Sequence, residues 1–170
     1  MIIRQEEIKD FDEIKEMVKG AFETAEHTDG NEYLLVDNLR TSNGFVKELA
    51  LVAEENNIII GHIMFTKIKV GNKIGLALAP LSVLPSAQNK GVGTALMNKA
   101  HAKAKEMGYG FSVVLGSDKY YPKVGYKTAK PFGILAPFEV PAENFMVLFL
   151  NDDISSVKGT VEYVKEIFAG

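Results

Sequence analysis

The sequence predicts a mixed α/β fold, in which a mostly antiparallel central sheet carries helices on both faces. Three observations lead to this prediction. Apolar runs separated by short turns indicate an antiparallel meander over residues 49–84. Apolar residues spaced three and four apart indicate helices before and after the meander. The later helix leads to an apolar segment at 111–115, which a right-handed crossover would return as a parallel strand.

The N-terminal part is predicted to form a short strand over 2–5, followed by a helix. Asp10 precedes an apolar stripe that begins at Phe11, so we expect Asp10 to cap this helix. A polar loop over 23–31 then leads to a second helix, which ends at about Arg40.

The meander is predicted to have three strands, at 49–54, 58–70 and 74–84. Its middle strand is apolar on both alternating faces, so helices should cover the sheet on both sides. His62 lies in that strand, where we expect a hydrogen-bonded core histidine. Pro80 cannot donate to a ladder, so it indicates either a bulge or an edge in the third strand.

The strongest helical pattern spans 91–107, and His101, near its far end, is expected on the surface. The elements expected after the parallel strand are a short helix or turn at 118–124, a strand near Lys127, a strand at 145–150, and a strand with a short helix over 159–168. Because no repeat or linker is present, residues 1–170 are predicted to form one domain.

Composition excludes several functional classes. The net charge of the 170 residues is −3 at pH 7, and the basic residues are scattered among acidic ones, so neither a nucleic-acid nor a membrane partner is expected. The absence of cysteine excludes disulfides, thiolate metal sites and a cysteine nucleophile, and we expect no metal. No apolar signal core or membrane-length run occurs, so a cytoplasmic protein is expected.

The junction between the meander and the long helix has the chemistry of an anion site. From Leu81 to Leu96 it comprises a strand end, a Pro85 turn, a polar loop and a helix that opens with Gly91 and Gly93. The N–H groups of a first helical turn lack intrahelical partners and lie at the positive end of the helix dipole. The glycines would let a ligand approach them. A plain strand-to-helix connection with glycines for close packing is the alternative.

Two nucleotide-binding motifs fail at specific positions of this junction. A Walker loop needs a glycine five residues before Gly91 and a lysine directly after it, and the sequence has neither. The dinucleotide fingerprint needs a glycine at the position of Leu96.

The junction resembles the acetyl-coenzyme A loop of the GNAT N-acetyltransferases, whose pattern is Val-x-Pro-x-x-Gln/Arg-x-x-Gly-Ile/Val-Gly/Ala-x-x-Leu. The residues that match this pattern are Val83, Pro85, Gln88, Gly91, Val92, Gly93 and Leu96. A second segment is similar to the Tyr-x-x-x-Gly-Phe/Tyr segment of that family, with Tyr121 four residues before Gly125. Further similarity at 52–53, 61–63 and 140–146 extends the resemblance over nearly the whole chain, to a poorly characterised bacterial branch.

The resemblance implies acetyl-coenzyme A as co-substrate, and a splay between the two central parallel strands in which pantetheine would lie. A backbone N–H among Leu81, Ser82 and Val83 would bind the thioester. The residues whose backbone would hold the pyrophosphate are Gln88, Asn89, Lys90, Gly91, Val92, Gly93 and Thr94.

Tyr121 would be the general acid that protonates the departing thiolate. A phenol of pKa ~10 donates to a thiolate of pKa ~8.5 only when it is closely positioned, and a packing aromatic is the alternative role. Tyr120 would point elsewhere if the segment is helical, and a structural role is expected for it. The segment 115–119 lacks an asparagine that many relatives have, which leaves its pantetheine contact open.

The resemblance implies that a primary amine of a small molecule or peptide accepts the acetyl group. Glu26, His27 and Glu32 are candidate acceptor contacts, or else solvated surface residues. No general base stands out; the candidates are Glu54, Glu55, Glu26, His62 and Asp118, with a water relay as the alternative. The oligomeric state is open, and a homodimer is one option. The alternative function is a non-catalytic acyl-coenzyme A sensor or interaction module on the same fold.

Overall fold

The computed structural model describes residues 1–23, 31–152 and 157–168. The α-helices of these ranges are α1 (Phe11–Phe22), α2 (Glu32–Arg40) and α3 (Val92–Glu106). The strands are β1 (Ile2–Gln5), β2 (Leu51–Glu55), β3 (Ile58–Val70), β4 (Lys73–Val83), β5 (Phe111–Leu115), β6 (Lys127–Thr128), β7 (Ile134–Leu135), β8 (Phe145–Phe149) and β9 (Gly159–Glu162).

The strands form a mixed sheet in the order β1-β2-β3-β4-β5-β8-β6, with β9 paired to both β3 and β7. Neighbours from β1 to β4 are antiparallel, as are β5 with β8 and β8 with β6. The β4–β5 pair is parallel. The predicted mostly antiparallel sheet with a parallel central pair is confirmed.

β4 carries a bulge at Pro80. The register with β3 passes from Leu78 opposite Phe65 to Leu81 opposite Ile63, so β4 uses one residue more than its partner. The Ala79–Pro80 peptide bond is cis. In this register Pro80 therefore marks a bulge. β4 is not an edge strand of the sheet, since it lies between β3 and β5, but its pairing with β5 has ended before Pro80.

β4 and β5 diverge after Ala77. Their register contains two pairs, Leu76 with Ser112 and Ala77 with Val113, although β4 continues to Val83 and β5 to Leu115. The carboxyl ends of the two strands are therefore separated by a gap. This gap is the predicted splay.

Helices cover both faces of the sheet. α3 lies on one face, where Leu96 and Ala100 cluster with Ile63 of β3. A Cβ at Gly61 would lie 3.0 Å from side-chain atoms of Leu96 and Val92, so glycine at this position lets α3 lie close to β3.

α1 and α2 cover the opposite face. Ile14 of α1 and Leu39 of α2 cluster there with Val52 and Met64 of the strands. The C-terminal part of the chain covers a further part of the sheet, where Ile134 and Val161 cluster with Val70 of β3 and Phe111 of β5. None of the helices in the described ranges has the length and apolar character needed to cross a bilayer.

Two local predictions differ from the structure. Asp10 is the N-cap residue of α1, but its side chain makes no cap hydrogen bond there, because its carboxylate binds the guanidinium of Arg4 and the N–H of Glu7. His101 is buried rather than exposed, with 7% of its surface accessible. The predicted helix or turn at 118–124 is a 3-10 turn over Tyr121–Val124.

Candidate active site

The loop after β4 turns sharply before α3 begins. Pro85–Ala87 form a 3-10 turn, and Asn89 and Gly91 then adopt left-handed conformations, with φ of 62° and 83°. Gly91 is the N-cap of α3, and nothing lies within 4 Å of the place that its Cβ would occupy. Glycine is thus required at 91 by its backbone conformation and not by a neighbouring atom.

Most backbone N–H groups of this loop make no hydrogen bond to the described residues. Gln88 donates its N–H to Pro85 at 3.3 Å, and the first helical bond runs from the N–H of Ala95 to the oxygen of Gly91 at 3.0 Å. For the amides of residues 89–94, no acceptor is found in the part of the chain that the structure describes. Six successive donors thus remain available at the positive end of α3.

The edge of β4 that faces the gap also has unpaired backbone groups. Leu84 donates its N–H to Ile60 of β3 at 2.9 Å, and strand N–H groups alternate between the two edges. The N–H groups of Leu81 and Val83 therefore point towards the gap. Gln88 confirms this direction, because its Nε2 donates to the oxygen of Val83 at 3.0 Å.

A cavity of about 580 Å³ joins the loop, the gap and the two tyrosines. The residues that line it are Leu81, Val83, Ala87, Gln88, Asn89, Gly91, Val92, Gly93, Thr94, Tyr120, Tyr121 and Lys123. Two predicted cofactor residues are missing from this lining. The side chain of Ser82 is buried on the α1/α2 face, and that of Lys90 is exposed to solvent.

Tyr120 lies against the first turn of α3. A Cβ on Gly93 would collide with the Tyr120 hydroxyl. Burial raises the pKa of Tyr120. The expectation that Tyr120 points elsewhere is therefore wrong, because both tyrosines face the cavity.

Tyr121 is held from three sides. Its ring packs on Gly116, where a Cβ would collide with it, and lies edge-on to Tyr126 with centroids 5.8 Å apart. The centroid of the Tyr120 ring is 5.1 Å away. Burial, and then the neighbouring Tyr120, raise the pKa of Tyr121 to about 12. The phenol therefore keeps its proton at neutral pH.

Gly116 is itself fixed by Asn144. The Gly116 N–H donates to the oxygen of Asn144 at 2.9 Å, and Asn144 Nδ2 donates back to the oxygen of Gly116 at 3.0 Å. The segment 115–119 itself contains no asparagine. Asn144, which bonds to Gly116, lies just before β8. Both backbone groups of Gly116 are thereby occupied by protein.

The profile of the Acetyltransferase (GNAT) family matches residues 11–126, more than half of the chain. The chain belongs to the GNAT family. The uncharacterized N-acetyltransferase YjhQ of Escherichia coli (strain K12) is 31% identical to it over 140 residues, which are 79% of this chain and 75% of YjhQ.

Solved GNAT structures share the whole fold. The GNAT family N-acetyltransferase YhbS from Escherichia coli, solved in complex with coenzyme A, has a TM-score of 0.89 at 27% identity and covers 99% of this chain and 92% of its own. A GNAT family acetyltransferase from Brucella melitensis, in complex with acetyl-coenzyme A, has a TM-score of 0.81 at 29% identity and covers 97% and 96% of the two chains.

A buried polar network supports the tyrosine side of this GNAT site. The Tyr126 hydroxyl is 2.9 Å from Ser112 Oγ and 3.0 Å from His101 Nε2. Burial lowers the pKa of His101 to about 4, so its imidazole is neutral at pH 7. These groups hold Tyr126, against which Tyr121 packs.

His62 belongs to a second network, on the opposite face of the sheet. Its Nε2 is 2.8 Å from Glu6 Oε1, and Arg40 donates to both oxygens of the same carboxylate. Burial alone would raise the pKa of Glu6, but the hydrogen bonds from His62 and Arg40 lower it to about 2. The expected hydrogen-bonded core histidine is present, although its Nδ1 has no partner.

The other base candidates lie apart from the cavity or outside the described residues. Glu54 pairs with Arg4 at 3.0 Å, whereas Glu55 and Asp118 are exposed and absent from the cavity lining. Glu26 lies outside the described residues. No cluster of three or more histidine, aspartate or glutamate side chains suited to a metal occurs in ranges 1–23, 31–152 and 157–168.

The candidate acceptor contacts are only partly described. Glu26 and His27 fall between the described ranges. Glu32 opens α2 and lines a cavity of about 450 Å³ between α1 and α2, together with Lys19, Gly20 and Tyr33.

The sequence does not predict the positions of Tyr120 and Asn144 at the site. A helical segment would direct Tyr120 elsewhere, but the 3-10 turn begins only at Tyr121. Asn144 is far from Gly116 in sequence, so no local pattern could have paired them. The absence of the Ser82 side chain from the cavity is predictable from the sequence, because side chains alternate along a strand and Ser82 points opposite to Leu81 and Val83.

Proposed function

We propose that this GNAT protein transfers an acetyl group from acetyl-coenzyme A directly to a primary amine of a small molecule or peptide. One observation carries the proposal: six amides at residues 89–94, which have no acceptor in the described part of the chain, lie beside a gap between two parallel strands. A diphosphate and a thiol-bearing arm fit this combination. The coenzyme A and acetyl-coenzyme A bound to the two similar solved proteins support the same ligand here.

The backbone of the loop would bind the diphosphate. Its donors would be the amides of residues 89–94, which lie at the positive end of α3 and have no acceptor within the described residues. Gly91 keeps side-chain atoms out of this space, whereas Gly93 leaves room for the Tyr120 hydroxyl. Lys90 would add only a distant charge, because its side chain does not line the cavity.

The exposed edge of β4 would bind the acyl arm. The N–H groups of Leu81 and Val83 point into the gap, so pantetheine could pair with them as a further strand would. One of these N–H groups would donate to the thioester oxygen, which gains negative charge as the amine attacks. Ser82 would contribute no such donor, because its N–H faces β3.

Tyr121 would protonate the leaving sulfur. Its proton remains bound at neutral pH because burial raises its pKa to about 12. As the C–S bond breaks, the electron pair moves to sulfur and the phenol donates to it. The packing of Tyr121 on Gly116 and Tyr126 would supply the positioning that this transfer needs.

The test is a thiol-release assay with acetyl-coenzyme A and a panel of amines. Ellman's reagent suits it because the chain has no cysteine that would contribute background signal. Turnover that requires both substrates, with one acetylated amine per thiol released, would support the proposal. Tight acetyl-coenzyme A binding without turnover on polyamines, aminoglycosides, amino acids or peptides would favour the sensor alternative.

A further inference from the structure

A further cavity of about 430 Å³, here called the C-terminal cavity, has no role in the reaction described so far. It is lined by apolar side chains from β7, from the chain that follows β7 and from Phe145 of β8, together with Lys130. Phe145 belongs to the same cluster as Ala77 of β4, whereas Leu76 and Leu78 belong to the cluster that contains α3 residues. Because side chains alternate along a strand, the C-terminal cavity lies on the sheet face opposite α3.

Aromatic contacts hold the wall of the C-terminal cavity. The ring of Phe138 is edge-on to that of Phe145, with centroids 6.2 Å apart, and is stacked on that of Tyr163 at 6.1 Å. Leu135 also lines the cavity, although 44% of its surface is exposed. A concave apolar surface of this kind is typical of a site that binds an apolar group. Its occupant should therefore be an aryl or branched aliphatic group.

The charge of the lining argues against a cationic occupant. Lys130 lines the C-terminal cavity, whereas Glu139 and Glu143, on the same segment, are exposed and do not line it. Among the described residues, no carboxylate contributes to the lining. A second ammonium group on the ligand would thus meet a like charge without a counter-ion.

The C-terminal cavity is connected to the candidate active site through β5 and β8. Phe145 is directly opposite Leu115 in the antiparallel register, so both side chains lie on the same face with Cβ atoms about 5 Å apart. Leu115 is the last residue of β5, beside the gap, and is 48% exposed. Asn144, next to Phe145, bonds to Gly116, on which Tyr121 packs. One strand spacing thus separates the gap from the cavity, and Leu115 lies between them.

The cavity between α1 and α2 has the opposite charge. Glu16, Glu23 and Glu32 line it, and these carboxylates would suit a polycation. The C-terminal cavity is favoured because the turn before its Phe145 is hydrogen-bonded to the segment on which Tyr121 packs. A polycationic acceptor is therefore the rival that the test must exclude.

We propose that the C-terminal cavity binds an aryl or branched aliphatic arm of the acceptor, whose amine reaches the thioester across Leu115. This inference rests on the proposed function and names its substrate class, a primary amine with one positive charge and an apolar arm. The arm must extend past one strand spacing, about 4.8 Å, before it enters the cavity. Polyamines and aminoglycosides lack such an arm and carry further positive charges, so they should be poor acceptors.

A comparison of amines tests the substrate class. Phenylbutylamine, with its ring at the far end of the chain, and n-butylamine share the reacting group and differ in the ring. Burial of the ring should make kcat/KM for phenylbutylamine about tenfold or more higher than for n-butylamine. Spermidine should have a lower kcat/KM than phenylbutylamine. Equal values for the first two amines, or the highest value for spermidine, would overturn the inference.

Variants of the lining connect this preference to the structure. Leu135→Ser makes an exposed part of the lining polar, and Ala142→Phe adds a ring to it at another exposed position. Each should lower the ratio of the two kcat/KM values, phenylbutylamine to n-butylamine, by about fivefold or more. Ile74→Ser is the matched control, because Ile74 is 60% exposed and lines neither this cavity nor the candidate active site. It should leave the ratio within about twofold, and an unchanged ratio in both lining variants would overturn the inference.

Methyl NMR gives a readout that does not require turnover. In the protein saturated with coenzyme A, titration with phenylbutylamine should shift the methyl signals of Leu135 and leave those of Ile74 in place. No shift at Leu135 would overturn the inference while leaving the proposed function intact. Absence of turnover in the wild-type protein with every amine would instead overturn the proposed function, and the assignment of the acceptor with it.

Discussion

The hydroxyl of Tyr120 fills the space beside Gly93 where any larger residue would place its Cβ. Glycine is therefore required at 93 because of the Tyr120 side chain, whereas at 91 it is required because of the left-handed backbone. Because Gly93 already has a helical conformation, replacing it with alanine should affect the cavity and not the helix.

Gly93→Ala should weaken acetyl-coenzyme A binding by about tenfold or more, because the new methyl group displaces Tyr120 from the first turn of α3. Calorimetric titration of acetyl-coenzyme A measures the change. In the double variant Gly93→Ala/Tyr120→Phe the colliding oxygen is gone, so the dissociation constant should return towards that of Tyr120→Phe alone. Additive losses in this cycle would contradict the contact.

Gly91→Ala should destabilise the protein by about 1 kcal/mol, because a Cβ is unfavourable at φ 83° although no atom obstructs it. Urea unfolding at neutral pH measures the loss. Gly91→Asn is the matched control and should cost less, since asparagine tolerates the left-handed region. Equal stability of the alanine variant and the wild-type protein would be inconsistent with this backbone conformation.

Tyr121→Phe should lower kcat by about 100-fold, with little change in the dissociation constant of acetyl-coenzyme A, because only the proton donor is removed. Rapid-quench or thiol-release kinetics and calorimetry together separate the two effects. Tyr120→Phe is the neighbouring control, and its kcat should fall much less. A full rate in Tyr121→Phe would exclude Tyr121 as the acid.

His101 should make the protein less stable as pH falls from 6.5 to 4. In this window the unfolded chain binds a proton at its imidazole, whereas burial lowers the pKa of the folded-state imidazole to about 4. Unfolding therefore takes up a proton, and the free energy of unfolding should be about 2 kcal/mol lower at pH 5 than at pH 7. Urea unfolding at the two pH values measures the difference.

The control for this pH effect is His101→Gln, which retains the other two histidines. Its stability should change less between pH 7 and pH 5 than that of the wild-type protein. Identical pH dependence in both proteins would mean that His101 titrates normally in the folded state.

The central part of the fold could be predicted from the sequence because its signals are local. β3 and β5 have the predicted limits, since apolar alternation and turn residues mark strand ends directly. The bulge and edge interpretations of Pro80 could be separated only by the position of β4 in the sheet. That position depends on how β5 returns beside β4, which is a long-range property.

The site could be predicted only where backbone conformation determines it. The loop donors and glycines follow from a strand-to-helix junction, and eight of the predicted cofactor residues line the cavity. The burial of His101 could not be predicted, because its partner Tyr126 belongs to a distant segment. The contacts of Asn144 with Gly116 and of Glu6 with His62 could not be predicted either, because these residues meet only after the sheet has formed.

The most direct test of the site is a crystal structure of the protein with coenzyme A. We expect amide nitrogens of residues 89–94 at about 2.7–3.2 Å from diphosphate oxygens, and pantetheine between β4 and β5 along Leu81 and Val83. A diphosphate bound elsewhere, with these amides left to solvent and the gap empty, would contradict the account.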